Sequence, residues 1–151
     1  MIVYFDSSAL VKMTLDEEGS DLAGELWDAA SSRMASQIGY PEVRAALSAA
    51  QRDGRIDPGG LEQAIADFEG LFAAMRLLDV DGELCWRAGE LAERHALRGY
   101  DAVHLAAVVG VDSPRVVVAT WDRDLGAAAS EHGLGVVPSP RSSGSDERAG
   151  A

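Results

Sequence analysis

The sequence predicts an α/β protein, with a central parallel β-sheet flanked by helices on both faces. Three observations carry this prediction. Short apolar, β-branched runs recur along the chain, led by Ile2 to Phe5 and by Val116-Val117-Val118. Longer stretches between them repeat their apolar residues at helical spacing. Strands that alternate with helices join through crossovers, and crossovers leave neighbouring strands parallel.

The elements follow in order. Ile2 to Phe5 reads as a buried strand, and Ser7-Ser8 then caps a short helix through Met13. Gly19 to Ser32 reads as a helix, with Leu22, Leu26, Trp27 and Ala30 on one face, and Met34 to Ser36 as a short strand. Pro41 suits the first turn of a helix whose stripe is Val43, Ala46, Leu47 and Ala50. Asp57-Pro58 opens the next, with Leu61, Ile65, Phe68, Phe72 and Met75 facing inward. Arg76 to Val80 is expected as a strand. Leu84, Ala88, Leu91, Ala92 and His95 mark a further helix, and Tyr100 to Val109 a buried one. Arg115 to Thr120 is a strand, Asp122 to His132 a helix, and Leu134 to Val137 a last strand.

Residues 1–137 therefore form one domain. Residues 138–151 hold nothing large and apolar and are expected to be a disordered tail. The 47% hydrophobic content suits an ordinary globular core. The single cysteine, Cys85, forms no intrachain disulfide and is expected to be a small core residue. No Cys/His zinc set is present, no segment is long and apolar enough to span a bilayer, and no secretory signal opens the chain. A reduced, cytoplasmic protein with no membrane partner is expected.

Thirteen basic side chains face twenty-five acidic ones, giving a formal net charge of −12. The charges of the tail (Arg141, Arg148, Asp146, Glu147) cancel, so the excess sits on residues 1–137. As a bulk quantity it argues against a polyanion held by its phosphates alone and favours a basic partner. The run of acids from Asp16 to Asp28 reads as a solvated helix face.

Four other acids are placed differently. Asp6 and Asp122 each follow a buried strand, where open α/β sheets bind ligands. Asp101 starts an apolar helix, and Glu42 lies in the first turn of another. Each aspartate could simply cap its helix. Clustered carboxylates repel unless a hard cation sits among them, and magnesium takes oxygen ligands. His104 shares a helix face with Asp101 and is expected as a hydrogen-bonded buried histidine rather than a general base. His95 and His132 near helix ends read as dipole partners. Arg44, Arg52 and Arg55 form one basic group and Arg94 with Arg98 another, each expected at the surface. Arg123 lies between Asp122 and Asp124, the best placed of the arginines to contact a ligand there.

Four segments resemble a known family. Tyr4-Phe5-Asp6-Ser7-Ser8-Ala9-Leu10-Val11-Lys12 is similar to the opening motif of PIN-domain ribonucleases, specifically the VapC toxins. Tyr40-Pro41-Glu42-Val43-Arg44 resembles the second acidic motif, and Arg98-Gly99-Tyr100-Asp101-Ala102-Val103-His104-Leu105-Ala106-Ala107 the third. Val118-Ala119-Thr120-Trp121-Asp122-Arg123-Asp124 resembles the fourth. The resemblance implies a PIN-like fold and an acidic site at Asp6, Glu42, Asp101 and Asp122, with Asp124 a fifth metal ligand and Ser7 and Thr120 supporting hydroxyls. It also implies a metal-dependent endoribonuclease using Mg²⁺ or Mn²⁺, with RNA as substrate and a cognate VapB-like antitoxin, a small DNA-binding protein, as partner. Family members often form homodimers. The alternatives are a non-catalytic PIN-like interaction module and a housekeeping PIN nuclease. A phospho-receiver is disfavoured because Lys12 is the only lysine. An aspartyl phosphatase is disfavoured because Asp6-Ser7-Ser8 lacks the second aspartate.

Overall fold

The structure is a computed structural model that describes residues 1–139. The sheet has five parallel strands in the order β3-β2-β1-β4-β5. In sequence these are β1 (Ile2–Phe5), β2 (Ser32–Ser36), β3 (Arg76–Leu78), β4 (Val116–Ala119) and β5 (Gly135–Val137). Helices α1 (Ser7–Thr14) and α2 (Ser20–Ala29) join β1 to β2, and α3 (Gly39–Arg52) with α4 (Pro58–Ala73) joins β2 to β3. Helices α5 (Gly82–His95) and α6 (Gly99–Val109) lead back to β4, and α7 (Arg123–Glu131) to β5. The expected α/β class and helices on both faces are observed. The tail expected from 138 lies outside the described residues from position 140 onward.

The alternation of side chains along β1 divides the interior into two cores. Val3 and Phe5 pack with Leu10, Leu47, Phe68 and Phe72 from α1, α3 and α4. Tyr4 faces the other way, against Leu84, Leu105, Val108 and Leu125 from α5, α6 and α7. Burying one such Leu or Phe side chain stabilises the fold by roughly 1.5–3 kcal/mol. The direction in which successive strands are added reverses at β1: β2 and β3 lie on one side, β4 and β5 on the other. Such a switch point leaves a crevice beyond the carboxyl ends of the central strands.

Boundaries differ from expectation where backbone pairing outruns the apolar pattern. The second helix stops at Ala29, and β2 begins at Ser32 because Ser32 and Arg33 pair with Ile2 and Val3. Arg33 lies over the Trp27 ring and donates to the Trp27 carbonyl at 2.9 Å. The third strand ends at Leu78 rather than Val80. Cys85 is exposed, not core. The inward face of α5 is set by Leu84 and Ala88, and Cys85 lies about 100° around the helix from Leu84. His95 and His132 do stand at helix ends, but their Nε2 atoms meet each other at 3.1 Å, and His95 Nδ1 meets Glu131 at 3.2 Å. Burial, then the His95 charge, lowers the His132 pKa below its ordinary value. Among the described residues no helix is long and apolar enough to cross a membrane.

One turn ties α1 to the far side of the site. Gly19 has φ +97°, a conformation that L side chains rarely adopt. A Cβ there would fall 2.6 Å from Trp121 Nε1 and 3.0 Å from the Lys12 side chain. The Lys12 ammonium sits 5.5 Å from the Trp121 ring centre. We predict that Gly19→Ala destabilises the protein by about 1–3 kcal/mol, from backbone strain plus overpacking. Urea unfolding measures this, and a loss under about 0.5 kcal/mol would show that Trp121 yields without cost.

Candidate active site

Asp6 leaves the end of β1 and caps α1. Its Oδ1 accepts from Ala9 N at 2.9 Å and from the Ser8 hydroxyl at 2.7 Å. Its Oδ2 accepts from the Thr120 hydroxyl at 2.6 Å. Capping α1 does not take Asp6 out of the cavity: one carboxylate caps the helix and lines the cavity wall. Asp6 is 3% exposed, and all these donors are neutral. Burial raises its pKa above the ordinary value, against the opposing charge of His104 and these hydrogen bonds.

Asp122 has the same construction at the end of β4. Its Oδ1 accepts from Leu125 N at 2.9 Å, capping α7, and its own N–H donates to Thr120 Oγ1 at 3.0 Å. Trp121 N donates to Ser8 Oγ at 2.8 Å. Ser8 and Thr120 therefore bind the β1–α1 and β4–α7 turns together, which holds Asp6 beside Asp122.

Asp101 does not cap its helix; Arg98 is the N-cap residue of α6 and makes no side-chain cap bond. Instead the Arg98 guanidinium bridges two acids, with Nε donating to Asp101 Oδ2 at 2.8 Å and Nη2 to Asp122 Oδ2 at 3.0 Å. The hydrogen bond to Asp101, then the charges of Asp101 and Asp122, raise the Arg98 pKa.

Glu42 comes from the first turn of α3 and reaches His104 of α6. His104 Nε2 lies 2.6 Å from Glu42 Oε2 and 3.0 Å from the Ser7 hydroxyl, which also donates to Glu42. His104 Nδ1 lies 2.7 Å from the Tyr4 hydroxyl. Burial, then the Asp6 charge, pushes the Tyr4 pKa well above its ordinary value, so its phenol keeps its proton. In the neutral ring this makes Tyr4 the donor to Nδ1 and puts the ring proton on Nε2, facing Glu42. Burial pushes Glu42 up, but the hydrogen bond and charge of His104, with Ser7, outweigh it and hold the carboxyl below its usual value.

These residues line one cavity of about 240 Å³, walled by Asp6, Ser7, Ser8, Glu42, Asp101 and Asp122 with Arg98 and His104. Thus Asp6, Glu42, Asp101 and Asp122, from four separate segments, share one wall. The Ser7 hydroxyl donates to Glu42 and the Thr120 hydroxyl to Asp6. Asp124 is exposed in the first turn of α7 and stays out of the cavity wall, though its charge acts on Arg98. Arg123 is also exposed and outside that wall; Arg98 is the arginine that enters. The other basic group is bound elsewhere: Arg44 to Glu69, Arg52 to Ser48 and Arg55 to Glu17.

Residues 3–131 match the PIN domain family. Ribonuclease VapC49 of Mycobacterium tuberculosis (strain ATCC 25618 / H37Rv) and Ribonuclease VapC45 of strain CDC 1551 / Oshkosh are each 46% identical to this chain over 137 residues. The match covers 91% of this chain and 95% of each relative. The chain belongs to the VapC family of PIN-domain proteins. Solved structures have the fold of this VapC-family chain at low identity. PAE2754 from Pyrobaculum aerophilum has a TM-score of 0.67 at 20% identity, covering 91% of this chain and 84% of its own. Mycobacterium tuberculosis VapC20, described as a sarcin-ricin loop cleaving toxin, has 0.63 at 20%, covering 83% and 94%. A chain of the VapBC2 complex of Rickettsia felis, bound to a promoter DNA fragment, has 0.59 at 13%, covering 90% and 97%.

Two members of this VapC-family site were not assigned to it from sequence. Arg98 was grouped with Arg94, although its spacing of three residues before Asp101 is an ion-pair spacing on a helix. His104 was read as buried and hydrogen-bonded, which it is, but its carboxylate partner is 62 residues away in α3.

Proposed function

We propose that this protein is a divalent-metal-dependent endoribonuclease and the toxin of a VapBC-type toxin–antitoxin pair. The observation that carries the reading is the convergence of Asp6, Glu42, Asp101 and Asp122 on one cavity at the carboxyl ends of β1 and β4. Names among the relatives, which include ribonucleases and a VapBC complex, support the nuclease and antitoxin parts.

The donor set suits a hard cation. Asp6 is a buried carboxylate whose hydrogen-bond donors are all neutral, and burial raises its pKa despite the opposing charge of His104. Asp101 Oδ1 and Glu42 Oε1 make no hydrogen bond among the described residues. Among those residues no three acids, histidines or cysteines are already grouped to hold a metal ion. Asp101 and Asp122 are instead paired with Arg98, and Glu42 with His104.

Asp6 and Asp101 would be the main ligands of Mg²⁺ or Mn²⁺, with Glu42 and Asp122 as further ligands or water orienters and Asp124 at the margin. Such an ion, when bound, lowers the pKa of water toward neutrality and offsets charge on a phosphodiester. The protein supplies the rest. Ser8, Thr120 and the Ala9 amide fix the Asp6 oxygens. His104 and Ser7 keep Glu42 ionised and able to orient water. The cavity, open beside the sheet, admits a phosphate while its acids disfavour one that arrives without a cation.

The expected products carry a 5′-phosphate and a 3′-hydroxyl. The test is incubation of the purified protein with total cellular RNA and Mn²⁺ or Mg²⁺, with end mapping of the products. Cleavage should stop in excess chelator and return when Mn²⁺ is added back. Cleavage that persists undiminished in chelator would overturn the metal assignment. Co-expression with a cognate VapB-like antitoxin should relieve growth arrest and yield a stable complex. Sedimentation of the isolated chain tests whether it forms the homodimer common among family members.

A further inference from the structure

We propose that Arg98 is the site's own counter-cation, held on Asp101 and Asp122 in the metal-free protein and displaced from them when a divalent cation enters. The inference rests on the metal reading above and adds an exchange step to it. Arg98 is the only lysine or arginine among the residues lining the cavity. It reaches the two acids from the N-cap position of α6.

Its anchoring is confined to its backbone. The Arg98 carbonyl accepts from Ala102 N at 3.0 Å, which fixes the residue at the helix start. The side chain is 79% exposed, against 12% for Asp101 and 24% for Asp122. Moving the guanidinium therefore costs two solvent-screened contacts and no packing.

Asp122 favours the exchange. Its Oδ1 caps α7 through Leu125 N, so Oδ2 is its oxygen directed away from the helix, and Arg98 holds it. A guanidinium and a divalent ion on the same carboxylate repel each other. The doubly charged ion wins the competition because its attraction to the acids is about twice as large at equal distance. Arg98 thus lowers the apparent affinity for metal while keeping the empty carboxylates from repelling one another.

The test is calorimetric titration of the full chain with Mn²⁺, in the absence of RNA, for the unaltered protein, Arg98→Gln, Arg98→Lys and Asp101→Asn. Arg98→Gln should bind Mn²⁺ about tenfold more tightly, because one opposing positive charge is gone. Arg98→Lys should fall between, since an ammonium keeps the charge without the two-point bridge. Asp101→Asn should bind more weakly. Melting in chelator adds a second readout: Arg98→Gln should melt lower than the unaltered protein when metal-free and gain more on adding Mn²⁺. Equal or weaker Mn²⁺ binding by Arg98→Gln, with binding by the unaltered protein intact, overturns the counter-cation role alone. No binding by either protein overturns the metal reading, and this inference with it.

Discussion

Asp6→Asn should lose RNA cleavage by at least about a hundredfold while making the metal-free protein more resistant to heat. The first effect follows from the proposed ligand role. Altering groups that only support a metal ligand typically costs about 10–100-fold, and losing a ligand costs more. The second follows from burial. The folded carboxyl sits above its ordinary pKa, so the folded chain holds the proton more tightly than the unfolded one. Stability from such a group is complete below the unfolded value and lost as pH rises through the folded one. At neutral pH the ionised Asp6 is therefore a net cost, which a neutral amide does not carry. Asparagine also keeps the local bonds: its oxygen can accept from Ala9 N and Ser8, its amide can donate to Thr120, and it caps helices well. Melting in chelator across pH checks this. The advantage of the variant should grow from the ordinary carboxylate range upward and level off at neutral pH. A variant that melts lower at neutral pH would mean that the ionised Asp6 is not held at a cost. One that cleaves normally would remove Asp6 from the ligand set.

The two motifs closest to strand ends were the most legible parts of the site. A β-rich run, then Asp and a helix start, states locally the strand and helix that bring Asp6 and Asp122 to the switch-point crevice, although the cap of α1 is Asp6 and not the serines expected. The run Ile2–Phe5 reads only as a buried strand, and the division of Val3 with Phe5 against Tyr4 between two cores follows from its pairing inside the sheet. What sequence could not supply were pairings across the fold. Nothing near His104 points to Glu42 or Tyr4, because those contacts exist only once α6 and α3 close over the sheet edge. Arg98 was half legible: its link to Asp101 is local, and its link to Asp122 is not. Cys85 was misplaced because apolarity alone does not fix the angle at which a residue meets the core of a helix.

His104 is where fold and site share one group, and its removal should damage both. The ring is 2% exposed and stands between the Tyr4 hydroxyl, inside the second core, and the Glu42 carboxylate, in the cavity wall. His104→Ala would leave a cavity, an unpartnered buried phenol and a carboxylate stripped of its strongest donor. Together these should cost about 2–4 kcal/mol. For a chain of this length that is a fall in Tm of roughly 5–15 °C. A second readout separates positioning of Glu42 from mere loss of structure. Glu42 is now held below its ordinary pKa chiefly by His104, so without the ring its carboxyl should rise. The acid limb of the cleavage pH profile should then move to higher pH in His104→Ala, measured below its melting temperature. Tyr4→Phe makes the complementary test: it removes the bond to Nδ1 and leaves Nε2 on Glu42, so it should lower stability modestly and leave the acid limb in place. An unmoved acid limb in His104→Ala would confine His104 to the core. A melting temperature within about 1 °C of the unaltered protein would mean that the buried Tyr4–His104–Glu42 chain does not hold α6 against the sheet.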